Sequence, residues 1–129
     1  MAKAAPNAVI DAMLDEIATA DIMIVCNAQP TTYTQLTSTF ALADVPMVAG
    51  DGNDYTIADG DAGDGSGRKI TTAVKNGVNI DVTDIATHVG LGRIGDTTLI
   101  YVTTCTAQPL TAGNPVNIPA WKVQVADPI

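Results

Sequence analysis

The sequence predicts a mainly β protein, an antiparallel sandwich or barrel-like fold, with one N-terminal amphipathic helix. Three observations lead there. Ala86–Leu91, Leu99–Cys105 and Val116–Val125 follow one another as apolar or alternating runs with short turns between them. Asn76-Gly77 stands between two alternating runs, the strongest short hairpin signal a sequence offers. Only residues 6–19 carry convincing helical spacing.

In that helix Ile10, Met13, Leu14, Ile17 and Ala18 fall at i, i+3, i+4, i+7 and i+8 and make one apolar stripe, with Asp11, Asp15 and Glu16 turned away. Pro6 suits the first turn, where its missing N–H is no loss. The helix is expected to cap the sheet or pack on a neighbouring subunit. Ile22–Cys26 is a continuous apolar run closed by Asn27 to Pro30, which reads as a central strand buried on both faces. Residues 31–50 are Thr-rich and weakly patterned, with Pro46 as a breaker, and read as a long loop with one short helical or extended piece around Phe40 to Val45. Residues 50–67 are rich in Gly and Asp, and read as an exposed acidic loop.

Ile70, Thr72 and Val74, then Val78, Ile80 and Val82, predict a hairpin over 68–83 turning at Asn76-Gly77. Thr87, Val89 and Leu91 continue the alternation to a turn at 92–96, and a strand over 98–105 follows. A second turn falls at Ala112-Gly113-Asn114. The closing strand carries Val116, Ile118, Trp121, Val123 and Val125, with a bulge or kink at Pro119-Ala120 and Trp121 as a core anchor.

At 129 residues the chain is expected to form a single domain, 1–129. Charged residues are 16% of the sequence against about 25% in an ordinary soluble domain, so the surface is polar without being charged. Such a surface loses little on meeting a partner, because few charges are desolvated. The net charge of −8 argues against nucleic acid, which needs a basic face. No apolar run approaches the ~20 residues of a membrane span, and Asp11, Asp15 and Glu16 interrupt any secretion signal. No membrane partner is expected.

Chemistry is sparse. Asp51, Asp54, Asp59, Asp61 and Asp64 are hard oxygen ligands, and Asp59-x-Asp61 followed by glycines opens like a calcium loop. The pattern then fails, since Gly63 takes the third ligand position, Asp64 comes one residue late and Ile70 stands where a bidentate Glu belongs. Asp59, Asp61 and Asp64 are therefore weak cation candidates only, and no metal or cofactor is expected. His88 could pair with Cys26 or Cys105 as thiol and imidazole, though a half-buried histidine with one hydrogen bond is the plainer reading. The cysteines are expected as buried, inert thiols. Residues 25–32 echo residues 104–111, which either sets Cys26 and Cys105 side by side or reflects a Thr- and Ala-rich composition. No nucleophile elbow or phosphate cradle is present, and no catalytic residue is assigned.

Taken in order, the helix 6–19, the strand exit Cys26-Asn27-Ala28-Gln29-Pro30-Thr31-Thr32-Tyr33, the strands Ala86–Leu91 and Leu99–Tyr101, and Pro-Leu-Thr-Ala-Gly-Asn (109–114) before a Val/Ile/Trp strand resemble small β-rich structural proteins of tailed-phage particles. That resemblance implies a non-enzymatic virion component, made in the host cytoplasm and ending in the particle. The role it implies is head decoration, or cement, on the major capsid protein or other virion proteins, as a homo-oligomer with a trimer favoured. A tail- or fibre-associated module is the alternative, as is one that binds a receptor or carbohydrate. Tyr55 beside the acidic loop is the aromatic platform such a sugar site would use.

Overall fold

The computed structural model describes residues 7–64 and 66–126, and of Asp64 the backbone only. The chain is mainly β, with antiparallel sheets and one helix near the N-terminus. Contacts group the described residues into two compact units, one from within 7–19, 48–73 and 120–126, the other from 20–47 and 74–119.

In the first unit the helix α1 (Asn7–Ile17) packs on the strands β3 (Tyr55–Asp59) and β4 (Arg68–Thr72). Ile10 and Leu14 are buried, as is Ala18 just beyond the helix, whereas Met13 is exposed. The stripe facing the sheet is therefore narrower than the spacing predicts. Asp11 is not turned away, because the Arg68 guanidinium grips its carboxylate through Nε at 2.7 Å and a second nitrogen at 3.2 Å. Pro6 lies outside the described residues. Strand β4 is central, paired with β3 on one side and with β9 (Lys122–Val125) on the other.

The acidic stretch 50–67 is thus no simple loop. It contains β3 and a 3-10 turn at Ala62–Asp64. Gly50 and Gly52 take positive φ, a conformation that suits glycine, and the Asp51 and Asp54 carboxylates accept the backbone N–H groups of Ile57 and Val48. Acidic residues here serve as backbone acceptors that shape a tight entry to β3.

In the second unit a four-stranded sheet runs in the order β2-β1-β6-β7, from β1 (Ile22–Cys26), β2 (Ala41–Pro46), β6 (Asp84–Arg93) and β7 (Thr98–Leu110). β2 and β7 are its outer strands, with Ala43 of β2 bridged to Ile80, and a two-stranded sheet of β5 (Lys75–Asn79) and β8 (Pro115–Ile118) accompanies it. β1 lies inside the sheet with Met23 through Cys26 buried, as its unbroken apolar run predicts.

The stretch 31–50 holds more structure than a long loop, and the short piece expected around Phe40 to Val45 is the strand β2. Gln35–Thr39 form a π-helical turn, seated by Gln35 Oε1, which accepts from both the backbone N–H and the hydroxyl of Thr31. The edge strand β2 follows it, with Pro46 at its end, where a strand tolerates the loss of a donor.

The hairpin expected over 68–83 does not form. β4 and β5 pair with different strands, and Asn76-Gly77 lies inside β5, where the register against β8 shifts between Lys75 and Val78. Gly77 has φ 68° and gives its N–H to Asn117 Oδ1. The left-handed residue that would have served a two-residue turn serves a bulge instead. Val74 and Val82, expected on the core face, are exposed as a result.

The closing strand is likewise two strands, β8 and β9, which end in different sheets. Pro119-Ala120 is a break between them rather than a bulge within one. Trp121 is half-buried rather than a core anchor, and its backbone is tied to Thr72, whose N–H donates to the Trp121 carbonyl at 2.9 Å.

An uncharged edge strand and the cleft beside it

Of the weak cation candidates, Asp59 and Asp61 are engaged with cations of the chain itself, and the Asp64 side chain lies outside the described residues. Asp59 accepts from Arg68 at 2.8 Å. Asp61 receives the Lys69 ammonium at 2.8 Å and that of Lys122, and its backbone N–H is taken by Gln124 Oε1. The two lysines hold the Asp61 carboxyl down at about 2, chiefly through their hydrogen bonds. Asp61 therefore clips the turn after β3 to β4 and β9. Among the described residues no group of three or more potential metal ligands occurs.

The thiols are set apart by the sheet. Cys26 lies opposite His88 and His88 opposite Thr104, so β6 separates Cys26 from the β7 segment that carries Cys105. Neighbouring strands are ~4.8 Å apart, and both cysteines are free. Burial, with a smaller contribution from Cys105, pushes the Cys26 thiol up to about 12. Burial raises that of Cys105 as well. Neither is a thiolate near neutral pH, the form a nucleophile requires. His88 is half-buried and shares a hydrogen bond of 2.8 Å with the Thr87 hydroxyl.

Two exposed carboxylates do meet. Asp44 on β2 hydrogen-bonds Asp81, and desolvation, followed by that hydrogen bond, raises its affinity for a proton. Asn79 donates to Asp81 at 3.0 Å and supports the pair.

Tyr55, the one aromatic residue placed to offer a sugar platform, has no exposed surface. It fills the interior of the first unit. The receptor or carbohydrate reading loses its contact residue.

The surface best suited to a partner has a signal in the sequence that spacing and motifs do not reveal. From Thr97 to Trp121 there is no Asp, Glu, Lys, Arg or His, in a chain of net charge −8. The fold places this run on β7, at the edge of the four-stranded sheet, and on β8. No residue from Thr98 to Pro109 is buried. Pro109 lies near the end of β7, a position open to proline because an outer strand has one side without a partner.

Beside this edge runs a cleft of about 220 Å³ with Val25, Ala86 and Val89 of the large sheet among its walls, and Val116 and Ile118 of β8. A second hollow of about 350 Å³ shares Gln108, Leu110, Val116 and Asn117 with it. Together they form a polar and apolar surface without charge, suited to holding a neighbour by shape, apolar contact and hydrogen bonds. No protein-family model, no curated protein and no solved structure matches the chain.

Proposed function

We propose that this chain is a non-enzymatic structural protein of a tailed-phage particle, a decoration or cement protein that binds the major capsid protein and strengthens the head. The observation that carries the reading is the uncharged run Thr97–Trp121, displayed on an edge strand and the cleft beside it. Contacts made there require few charges to leave water, so each forms at small desolvation cost. Repeated over a symmetric shell, contacts that are weak singly hold firmly by number. The order of strands that resembles phage structural proteins supplies the setting, and assembly in the host cytoplasm follows from it.

The test is to mix the purified chain with capsids lacking it and to follow co-sedimentation and the temperature at which the heads rupture. Saturable binding with a higher rupture temperature is the expected result. Capsids that neither take up the chain nor gain heat resistance would overturn the decoration role and point to tail or fibre, where the same surface would serve.

A further inference from the structure

β5 and β8 pair around a defect. Lys75 stands opposite Ile118 and Val78 opposite Val116, so Asn76 and Gly77 together face Asn117 alone. Two residues against one make a bulge, where the backbone leaves the regular ladder. The Gly77 N–H meets a side chain there, donating to Asn117 Oδ1 at 2.9 Å. Asn76, Gly77 and Asn117 are all exposed, so water and hydroxide reach the three of them.

The amide carbon of an asparagine side chain lies within reach of the backbone nitrogen of the next residue, and the two can close to a cyclic imide. A side chain on that next residue crowds the approach, and glycine has none. Asn76-Gly77 is the one Asn-Gly pair in the sequence. At Gly77 the space where a Cβ would stand is open. The other asparagines are less suited to the reaction. Asn7 is followed by Ala8, and Asn114 by Pro115, which has no N–H. Asn79 and Asn117 precede the buried, β-branched Ile80 and Ile118. The Asn27 and Asn53 amides are held by the Asp84 carboxylate and the Ala49 carbonyl.

We propose that Asn76-Gly77 is a site at which the chain modifies itself, and that Asn117 restrains the reaction. The Gly77 nitrogen gives its proton to hydroxide and bonds to Asn76 Cγ. The bond from Cγ to Nδ2 breaks, and that nitrogen takes a proton from water and leaves as ammonia, which restores the hydroxide. Water then opens the imide at either carbonyl and leaves an aspartate or an isoaspartate at position 76. The sum is an amide and water giving a carboxylic acid and ammonia. Hydroxide takes the Gly77 proton only while the N–H is away from Asn117, for the reason that hydrogen-bonded amides exchange slowly. Asn117 is thus a positioning residue that keeps the nucleophile protonated.

The reaction involves no partner, and its test uses the purified chain alone. Samples are aged at pH 6 and pH 8, and peptide mapping by mass spectrometry reads amide loss at each asparagine. Asn76 is expected to convert first, faster at pH 8, with isoaspartate among its products. Asn76→Gln, whose extra methylene disfavours ring closure, is expected to keep its charge on ion exchange while the parent gains acidic forms. Asn117→Ala removes the acceptor and is expected to speed conversion at Asn76 by about two- to tenfold, the equivalent of one hydrogen bond. Hydrogen exchange at the Gly77 amide should quicken with it. Asn117→Asp keeps an acceptor oxygen and is expected to hold Asn76 at the parent's rate or below. Conversion that begins at another asparagine would overturn the site. An Asn117→Ala chain that converts at the parent's rate, or faster at every asparagine alike, would overturn the restraint.

Discussion

Leu36 occupies the space that a side chain on Gly90 would need. Its Cδ1 lies against the position a Gly90 Cβ would take, and its Cδ2 is 2.9 Å from the corresponding position on Gly92. Both methyl groups are engaged and the residue is fully buried, so it cannot swing aside. Two glycines on β6 therefore make the seat into which the π-helical turn sets its one buried residue.

Gly90→Ala is accordingly expected to destabilise the protein by about 1–3 kcal/mol through overpacking. Leu36→Ala, which leaves a void, is expected to cost about 2–5 kcal/mol. Because the two residues share one contact, the double variant should cost less than the sum. Urea unfolding of the three variants checks this, and strict additivity would show the seat to be loose.

The Asp61 clip has a defined pH window. Its carboxyl titrates at about 2 in the folded chain, below the ~3.9 of an unfolded aspartate. Its contribution is therefore present above pH ~4 and is lost as pH falls towards 2. Asp61→Asn should lower the melting temperature at pH 6 and make no difference at pH 2. A deficit that persists unchanged at pH 2 would mean that the carboxylate charge is not what the two lysines hold.

Asp44 has the opposite sign. Its proton affinity is raised in the folded state, so the ionised form is penalised there and folding gains as pH falls through the raised value. Asp44→Asn should raise stability at neutral pH, with the advantage fading at pH below the unfolded value near ~3.9. Thermal melts of parent and variant at pH 7 and pH 3.5 decide it, and a variant less stable at pH 7 would refute the carboxyl–carboxylate contact.

The two thiols should be chemically distinct. Cys105 is partly exposed and Cys26 has no exposed surface. An aromatic disulfide reagent at pH 8 should label Cys105 first, and Cys26 only as fast as the sheet opens. Equal rates in native buffer would show that β1 is not the sheltered strand the structure describes.

The parts legible in the sequence are those where one local pattern decides. Ile22–Cys26 has no polar residue to turn outwards, so it could only be a strand covered on both faces. The β-rich class, the helix and the turn at Gly113 follow from equally local cues. Asn76-Gly77 misled because a positive φ serves a bulge as well as a turn, and the choice depends on Asn117, far along the chain. Tyr55 was obscured by its acidic, glycine-rich neighbours, whose carboxylates turn out to bind backbone and side-chain donors of the chain itself. The candidate surface was legible in another sense, as a long absence of charge, but its place on a sheet edge is set by which strands pair.

The interleaving of the two units bears on the order in which the chain can fold as it is made. Every strand of the unit built from 20–47 and 74–119 has been synthesised once residue 119 is in place, so its four-stranded sheet can close at that point. The other unit then still lacks β9, the outer strand on β4 that carries Lys122 to Asp61. Until that strand arrives, one side of β4 has no ladder partner. Pausing or truncation just beyond Pro119 would therefore yield a chain with one half ready to fold and the other half holding an open sheet, the species most exposed to aggregation and to proteolysis.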